Sequence, residues 1–309
     1  MKKFIFVVTL ILTLIIFDKR VFGDTIYNVY YKLNNDKEYK IIENTEVLNT
    51  NNYFKKDVSK YVVTTDSLIA KDKQELMNIY YSAINKGYDK LTFYCDEEYY
   101  NCDKDIEYLS TEDSNFSYIN QLVNVYNSYK SITTSYSSNL RVDITVNKKY
   151  NEEDIKRIND EIYSIIDKLH LNDYDDIFEK IRLFHDYLAR INSYDEDMAN
   201  TMESNYNSDS AIGALFEGKA ICSGYTDAMS LFLDILGIEN YRVATDKHVW
   251  NALKVNNKWY HIDLTWDDPI VSDGSNMILE DYFMISTDEL LSKNDPDHNF
   301  DREIYNFID

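Results

Sequence analysis

Cysteine, proline and glycine are all scarce: three, two and seven residues in a chain of 309. So few cysteines exclude a disulfide-rich scaffold, and their wide spacing excludes a structural zinc site. So little proline and glycine excludes a collagen-like or low-complexity chain and leaves no flexible linker to mark a domain boundary. Basic residues are also short, 32 Lys and Arg against 54 Asp and Glu, for a formal net charge of −22. A surface this acidic repels phosphates, so nucleic acid is excluded as a partner. The longest apolar run, Phe4 to Phe17, has 14 residues and is too short to span a bilayer comfortably.

What is present is enough apolar and aromatic material, 44% and 15% of residues, to build a real core in one or two domains. Lys2 and Lys3 precede the apolar run, and Val21–Gly23 ends in a small residue before Asp24. That is the pattern of a secretory signal over residues 1–23, with an uncleaved anchor as the alternative. The expectation is a secreted or cell-surface protein with no other membrane segment. Removing the segment takes away four basic residues and one acid, so the remainder is more acidic still. In that setting Cys95 and Cys102, separated by six residues, either close a small disulfide loop or remain two free thiols. Disulfide formation there leaves Cys222 unpaired.

Residues 24–150 read as a mixed α/β region without a chemical motif. Asp72–Gly87 has helical spacing with Gly87 as its stop, Lys90–Cys95 and Leu140–Val146 read as strands, and Tyr118–Tyr129 reads as a helix. The second region, 151–309, opens with two amphipathic helices, Asn151–Leu169 and Asp175–Ile191. A polar, loop-like stretch, 192–210, follows.

The run from Ser223 to Leu236 is apolar over most of its circumference, with Ser223, Asp227, Ser230 and Asp234 on one stripe. It predicts a largely buried helix closed by Gly237. Cys222 falls at its first turn, on the buried side. The positive end of a helix stabilises a thiolate, and its unpaired N–H groups can hold an oxyanion. An inert buried thiol is the competing reading. Downstream, Tyr241–Thr245 looks like a strand. His248–Val255 and Lys258–Leu264 alternate around Asn256-Asn257, residues that suit a tight hairpin turn. With a two-residue turn Val255 faces Lys258, and His248 and Asp263 become diagonal neighbours on one face, about 7–8 Å apart. A histidine beside a carboxylate, downstream of a helix-start thiol, is the pattern of an activated nucleophile. On this geometry alone His261 is a rival base.

The stretches "GKAICSGYTDAMSLFLDILGI", "HVWNALKVNNKWYHIDLTWDDP" and "YFMIS" occur in this order, and together they resemble the transglutaminase-like superfamily in its bacterial secreted branch. The likeness covers roughly residues 150–290; "KIRLFHDYLARINSYD" matches the segment that precedes the catalytic one. It implies an α+β fold with a papain-like core, in which a helix bearing the cysteine packs on an antiparallel sheet bearing His and Asp. The implied catalytic residues are Cys222, His248 and Asp263, with His248 preferred over His261. The sequence departs from many relatives in having Ser223 after the cysteine and a short loop before His248. The resemblance implies an exported cysteine acyltransferase or protease acting on protein or peptide amides, a cell-wall or surface protein among the candidate substrates. Transfer to an amine and hydrolysis stay open, and a non-catalytic binding module is the alternative.

Trp250 and Tyr225 are candidate substrate-binding residues, with packing as the alternative for each. His185 with Asp186 reads as structural. Asp267, Asp268, Asp273 and the acids of Asp295–His298 lack the order of a calcium loop and read as solvated side chains. No cofactor and no metal are expected.

Overall fold

Alternation builds the first sheet: Leu91, Phe93 and Cys95 of one strand, and Val142, Ile144 and Val146 of the next, point into a core while their neighbours face out. The computed structural model describes residues 26–32, 53–111, 116–269 and 278–308. The signal segment and Asp273 lie outside the described residues. The chain divides into two compact units, one holding most described residues up to Lys148, the other holding Val58–Tyr61 and those from Lys149 onward.

The first unit carries a five-stranded mixed sheet in the order Ile26–Lys32, Tyr129–Ser137, Arg141–Lys148, Lys90–Cys95, Ile69–Ala70. Its outer pairs are parallel and its inner pairs antiparallel. The helix Lys73–Asn85 begins where the Asp72 carboxylate accepts from the Glu75 N–H at 2.8 Å. It stops before Gly87, whose φ of 72° suits glycine. Cys95 and Cys102 are disulfide-bonded, tying the end of a strand to the start of the helix Cys102–Leu109.

The helix expected over Tyr118–Tyr129 is broken into short turns, Phe116–Tyr118, Ile119–Leu122 and Val125–Asn127, before a strand starts at Tyr129. The cause is asparagine competing with the helix backbone. Asn124 caps the third turn by accepting from the Tyr126 N–H at 2.9 Å. Asn120 clamps both backbone groups of Tyr129, at 3.0 and 3.1 Å.

The second unit is helices on one antiparallel sheet, and the chain as a whole is α+β. Helix Glu152–Lys168 starts with a reciprocal cap between Asn151 and Asp154. Helix Ile177–Ile191 packs on helix Cys222–Ile235 through Phe184 stacked on Phe232, 3.8 Å between ring centres. The sheet order is Phe283–Ile285, Lys258–Ile262, Val249–Val255, Asn240–Ala244. The middle of the polar stripe of the Cys222 helix, Asp227 and Ser230, is buried. Buried Asp227 accepts from Arg242 at 2.8 Å, Lys149 at 2.9 Å and the Tyr150 hydroxyl at 2.7 Å, and Ser230 pairs with Asn240 at 2.5 Å. These bonds tie the helix to the first strand of its sheet. Among the described residues no helix is long and apolar enough to cross a membrane.

Candidate active site

Asn256 and Asn257 both adopt left-handed φ, 52° and 62°, which makes a two-residue hairpin turn with the twist the strands require. The register follows: Val255 pairs with Lys258, Ala252 with His261 and Asn251 with Ile262. Pairing ends there. Asp263 turns out of the strand and caps the short helix Leu264–Asp267, its Oδ1 accepting from the Thr265 and Trp266 N–H groups at 3.1 and 3.4 Å. His248 lies in the tight turn between two strands. There the Thr245 N–H donates to the His248 carbonyl at 2.9 Å, and the His248 N–H donates to the Thr245 hydroxyl at 3.2 Å. The hairpin thus brings Nε2 of His248 against Oδ2 of Asp263 in a short hydrogen bond.

Cys222 opens the helix Cys222–Ile235, and no side chain caps that end. Gly224 explains how the first turn is held. A Cβ there would meet the Ser208 carbonyl oxygen at 2.3 Å, so only glycine lets the helix lie this close to the preceding segment. That segment is anchored by Asp195, which accepts from the Ser204 and Ser208 hydroxyls. The Ile221 N–H also donates to the Ser208 carbonyl, at 2.9 Å. The Cys222 thiol is free and buried, and it adds to the forces that raise the His248 pKa. Since Nε2 is taken by Asp263, Nδ1 is the nitrogen left for sulfur.

Burial opposes a charge on His248, but the Asp263 carboxylate and then Cys222 outweigh it and raise its pKa to about 10. Burial likewise opposes a charged Asp263. The imidazoles of His248 and His298 overcome it and hold this carboxyl well below the usual range.

His298 is the member that the sequence did not reveal. Its Nε2 donates to Oδ2 of Asp263 at 2.8 Å, and its ring stacks on Tyr282 with centres 4.8 Å apart. The "DPDH" stretch showed only acids weighed against calcium. The one available signal was a histidine after a proline turn, leading into apolar Phe300. The rival base His261 is engaged elsewhere: Nδ1 accepts from Trp250 Nε1 at 3.0 Å and Nε2 meets the Thr287 hydroxyl at 3.1 Å. Burial lowers its pKa to about 3, so the ring is neutral.

Trp250 does not border a channel. It is fully buried, with its N–H on His261 and its ring stacked on His248, 5.8 Å between centres. Both sides of its strand are covered, so alternation did not distinguish wall from core. Tyr225 is also buried and does not line the cleft; its hydroxyl donates to Oδ2 of Asp268 at 2.5 Å. The surface tryptophan is Trp266, 37% exposed. With Tyr194, Thr265, Asp268 and Pro269 it lines a cleft of about 300 Å³. Tyr194 gets there because Ser193–Tyr194 pairs with Lys219–Ala220, just ahead of Cys222.

One acid expected to be solvated, Asp267, is not. Asp267 is fully buried, accepting from the Tyr282 N–H at 2.9 Å and lying 3.3 Å from Nε2 of His185. His185 is also buried and meets Asp186 at 3.1 Å. Among the described residues one group, His248, Asp263 and His298, offers ligand atoms within 4.8 Å of one another. Both ring nitrogens already contact a single carboxylate oxygen as hydrogen-bond donors. Ligands around a metal are instead each drawn to about 2.0–2.2 Å from the ion.

Residues 138–264 match the family model of the Transglutaminase-like superfamily. A solved structure described as "Crystal structure of a TGase" is similar at 16% identity and a TM-score of 0.34, over 45% of this chain and 45% of that one. This chain therefore spans less than half the length of that relative. No curated protein matches the sequence.

Proposed function

We propose, from the premise that residues 138–264 are a transglutaminase-like superfamily domain, that this protein is an exported cysteine enzyme transferring acyl groups from protein or peptide amides. One observation carries the reading: Nε2 of His248 is held by the Asp263 carboxylate, and the buried thiol of Cys222 acts with that carboxylate to raise the pKa of the same ring. In this mechanism Nδ1 of His248 accepts the thiol proton, and the sulfur of Cys222 attacks the amide carbonyl. Charge on the carbonyl oxygen is met by N–H groups of the uncapped helix start, the Cys222 N–H among them. His248 then gives its proton to the leaving amine, and the C–N bond breaks to leave a thioester on Cys222. Asp263 keeps the ring in the tautomer that presents Nδ1 and stabilises the imidazolium. An amine or a water molecule, deprotonated by His248, releases the acyl group.

Export is supported by Lys2, Lys3 and the apolar run Phe4–Phe17, and by the Cys95–Cys102 disulfide, a bond that persists in oxidising compartments.

The test is incubation of the mature protein with a glutamine-bearing protein and a fluorescent primary amine, with Cys222→Ser as control. Incorporation that the control abolishes means transfer. Ammonia or peptide fragments without incorporation mean hydrolysis. Neither product, together with a slow thiol indifferent to His248→Ala, overturns the enzyme reading in favour of a binding module.

A further inference from the structure

Against the first turn of the helix that begins at Cys222 lies a carboxylate that the proposed chemistry does not use. Of the five residues lining the cleft, Asp268 alone is charged. It is seated by Tyr225, three residues into the helix that begins at Cys222, through the 2.5 Å bond from the tyrosine hydroxyl to Oδ2. Among the described residues no hydrogen bond or ion pair reaches Oδ1 of Asp268. Burial pushes this carboxyl up to about 6, against the Tyr225 hydrogen bond and the more distant charge of His185. A desolvated acid without a cationic partner gains from any cation that enters.

The rest of the cleft sets the shape of that cation. Tyr194, Trp266 and Pro269 give largely apolar walls, which suit an aliphatic stem. The half-exposed indole of Trp266 offers a π-face to a positive head group. The cleft also lies near the start of the Cys222 helix. Its Tyr194 wall is paired with Ala220, two residues before Cys222. An occupant here is therefore held close to the helix start that carries the candidate nucleophile.

We propose that Asp268, seated by Tyr225 and walled by Tyr194, Trp266 and Pro269, is a subsite for a basic side chain, lysine or arginine, of the polypeptide on which Cys222 acts. The subsite rests on the acyl-transfer reading and adds to it a preference for substrates with a cation near the reacting amide. An acidic side chain is repelled from the same place.

Thiol chemistry tests this without a known substrate. Methanethiosulfonates form a mixed disulfide with the Cys222 sulfur and release methanesulfinate, and they come with cationic (2-aminoethyl), anionic (2-sulfonatoethyl) and neutral (methyl) groups. The readout is the ratio of cationic to neutral rate, which cancels any change in the thiol itself. Measured in 0.3 M salt to screen the acidic surface as a whole, the ratio should fall roughly tenfold in Asp268→Asn, the low end for a cleft that focuses one sign of charge. Asp268→Glu should retain most of it, and Tyr225→Phe should lie between.

A second arm identifies the occupant. Nα-acetyl-arginine methylamide, which cannot serve as an attacking amine, should slow modification by the neutral reagent in the wild type and not in Asp268→Asn. Its citrulline isostere should protect neither. A charge ratio unchanged in Asp268→Asn sinks the subsite alone. Protection by butylamine equal to that by the blocked arginine reassigns the cleft to the attacking amine and overturns the side-chain assignment. A thiol that ignores the neutral reagent and is indifferent to His248→Ala takes down both readings.

Discussion

His298 donates from Nε2 to Oδ2 of Asp263 at 2.8 Å, the oxygen that Nε2 of His248 also contacts. One carboxylate therefore orients two imidazoles. Its other oxygen is fixed by the Thr265 and Trp266 N–H groups. With four donors around it the carboxylate has little freedom to swing away from His248, and the second imidazole takes part of its charge. His298 is thus a positioning residue, acting on the thiol only through Asp263 and His248.

Replacing His298 by alanine should slow iodoacetamide labelling of Cys222 at pH 6 severalfold, less than His248→Ala does. It should also lower the unfolding free energy by about 1.5–3 kcal/mol, the range for a hydrogen bond to a charged group. His298→Gln, whose amide can still donate, should recover part of the labelling rate. A labelling rate in His298→Ala equal to wild type would show that Asp263 needs no second donor.

Stability should depend on pH through His248. Its pKa is raised in the fold to about 10, from an unfolded value of about 6.5. A raised value contributes stability that is complete below the unfolded pKa and is lost as pH climbs through the folded one. The unfolding free-energy difference between wild type and His248→Gln, measured in urea, should therefore shrink steadily from pH 6 to pH 10. Asp263 has the opposite sign: its depressed pKa contributes stability above about 3.9, lost only as pH falls below that. A difference that holds constant to pH 10 would mean that His248 is not stabilised as a cation.

The hairpin was legible because two local signals agreed. Asn256-Asn257 set the turn, alternation set the face, and the observed register matches down to Ile262 opposite Asn251. The helix that starts at Cys222 was legible for the same reason, its apolar circumference being a short-range pattern. What escaped was fixed by irregular chain. His298 comes from a single 3-10 turn, Pro296–His298, and meets Asp263 across 35 residues with no periodicity to announce it. Trp250 and Trp266 have the same chemistry, and only the elements covering each decide that the first is core and the second cleft wall. The asparagines at 120 and 124 bonded backbone locally and overrode a helical pattern. Gly224 is fixed by a carbonyl contributed from sixteen residues upstream, which no local pattern announces.

Trp250 should behave as a support for two histidines. Trp250→Phe keeps an aromatic ring beside His248 but leaves Nδ1 of the buried His261 without its donor. An unsatisfied buried acceptor costs about 1–3 kcal/mol, so the melting temperature should fall clearly. The methanethiosulfonate charge ratio should stay at the wild-type value, because this indole is buried and does not line the cleft. A changed ratio with an unchanged melting temperature would return Trp250 to the substrate channel.

Two glycines of the same helix region separate close packing from backbone strain. At Gly224 an added Cβ would stand 2.3 Å from a backbone oxygen, that of Ser208. Neither partner is the flexible end of a side chain, so the helix start or the 207–211 segment must move. The movement falls on Cys222, two residues away, and on its placement relative to His248. At Gly237, φ is 72° but nothing lies within 4 Å of an added Cβ, so alanine there should cost only the left-handed penalty of about 1–2 kcal/mol. The expected outcome is a split. Gly237→Ala lowers the melting temperature and leaves Cys222 labelling at pH 6 unchanged, whereas Gly224→Ala lowers both. If Gly224→Ala labels as fast as wild type at a temperature where both are folded, the helix start is not what aligns the thiol with His248.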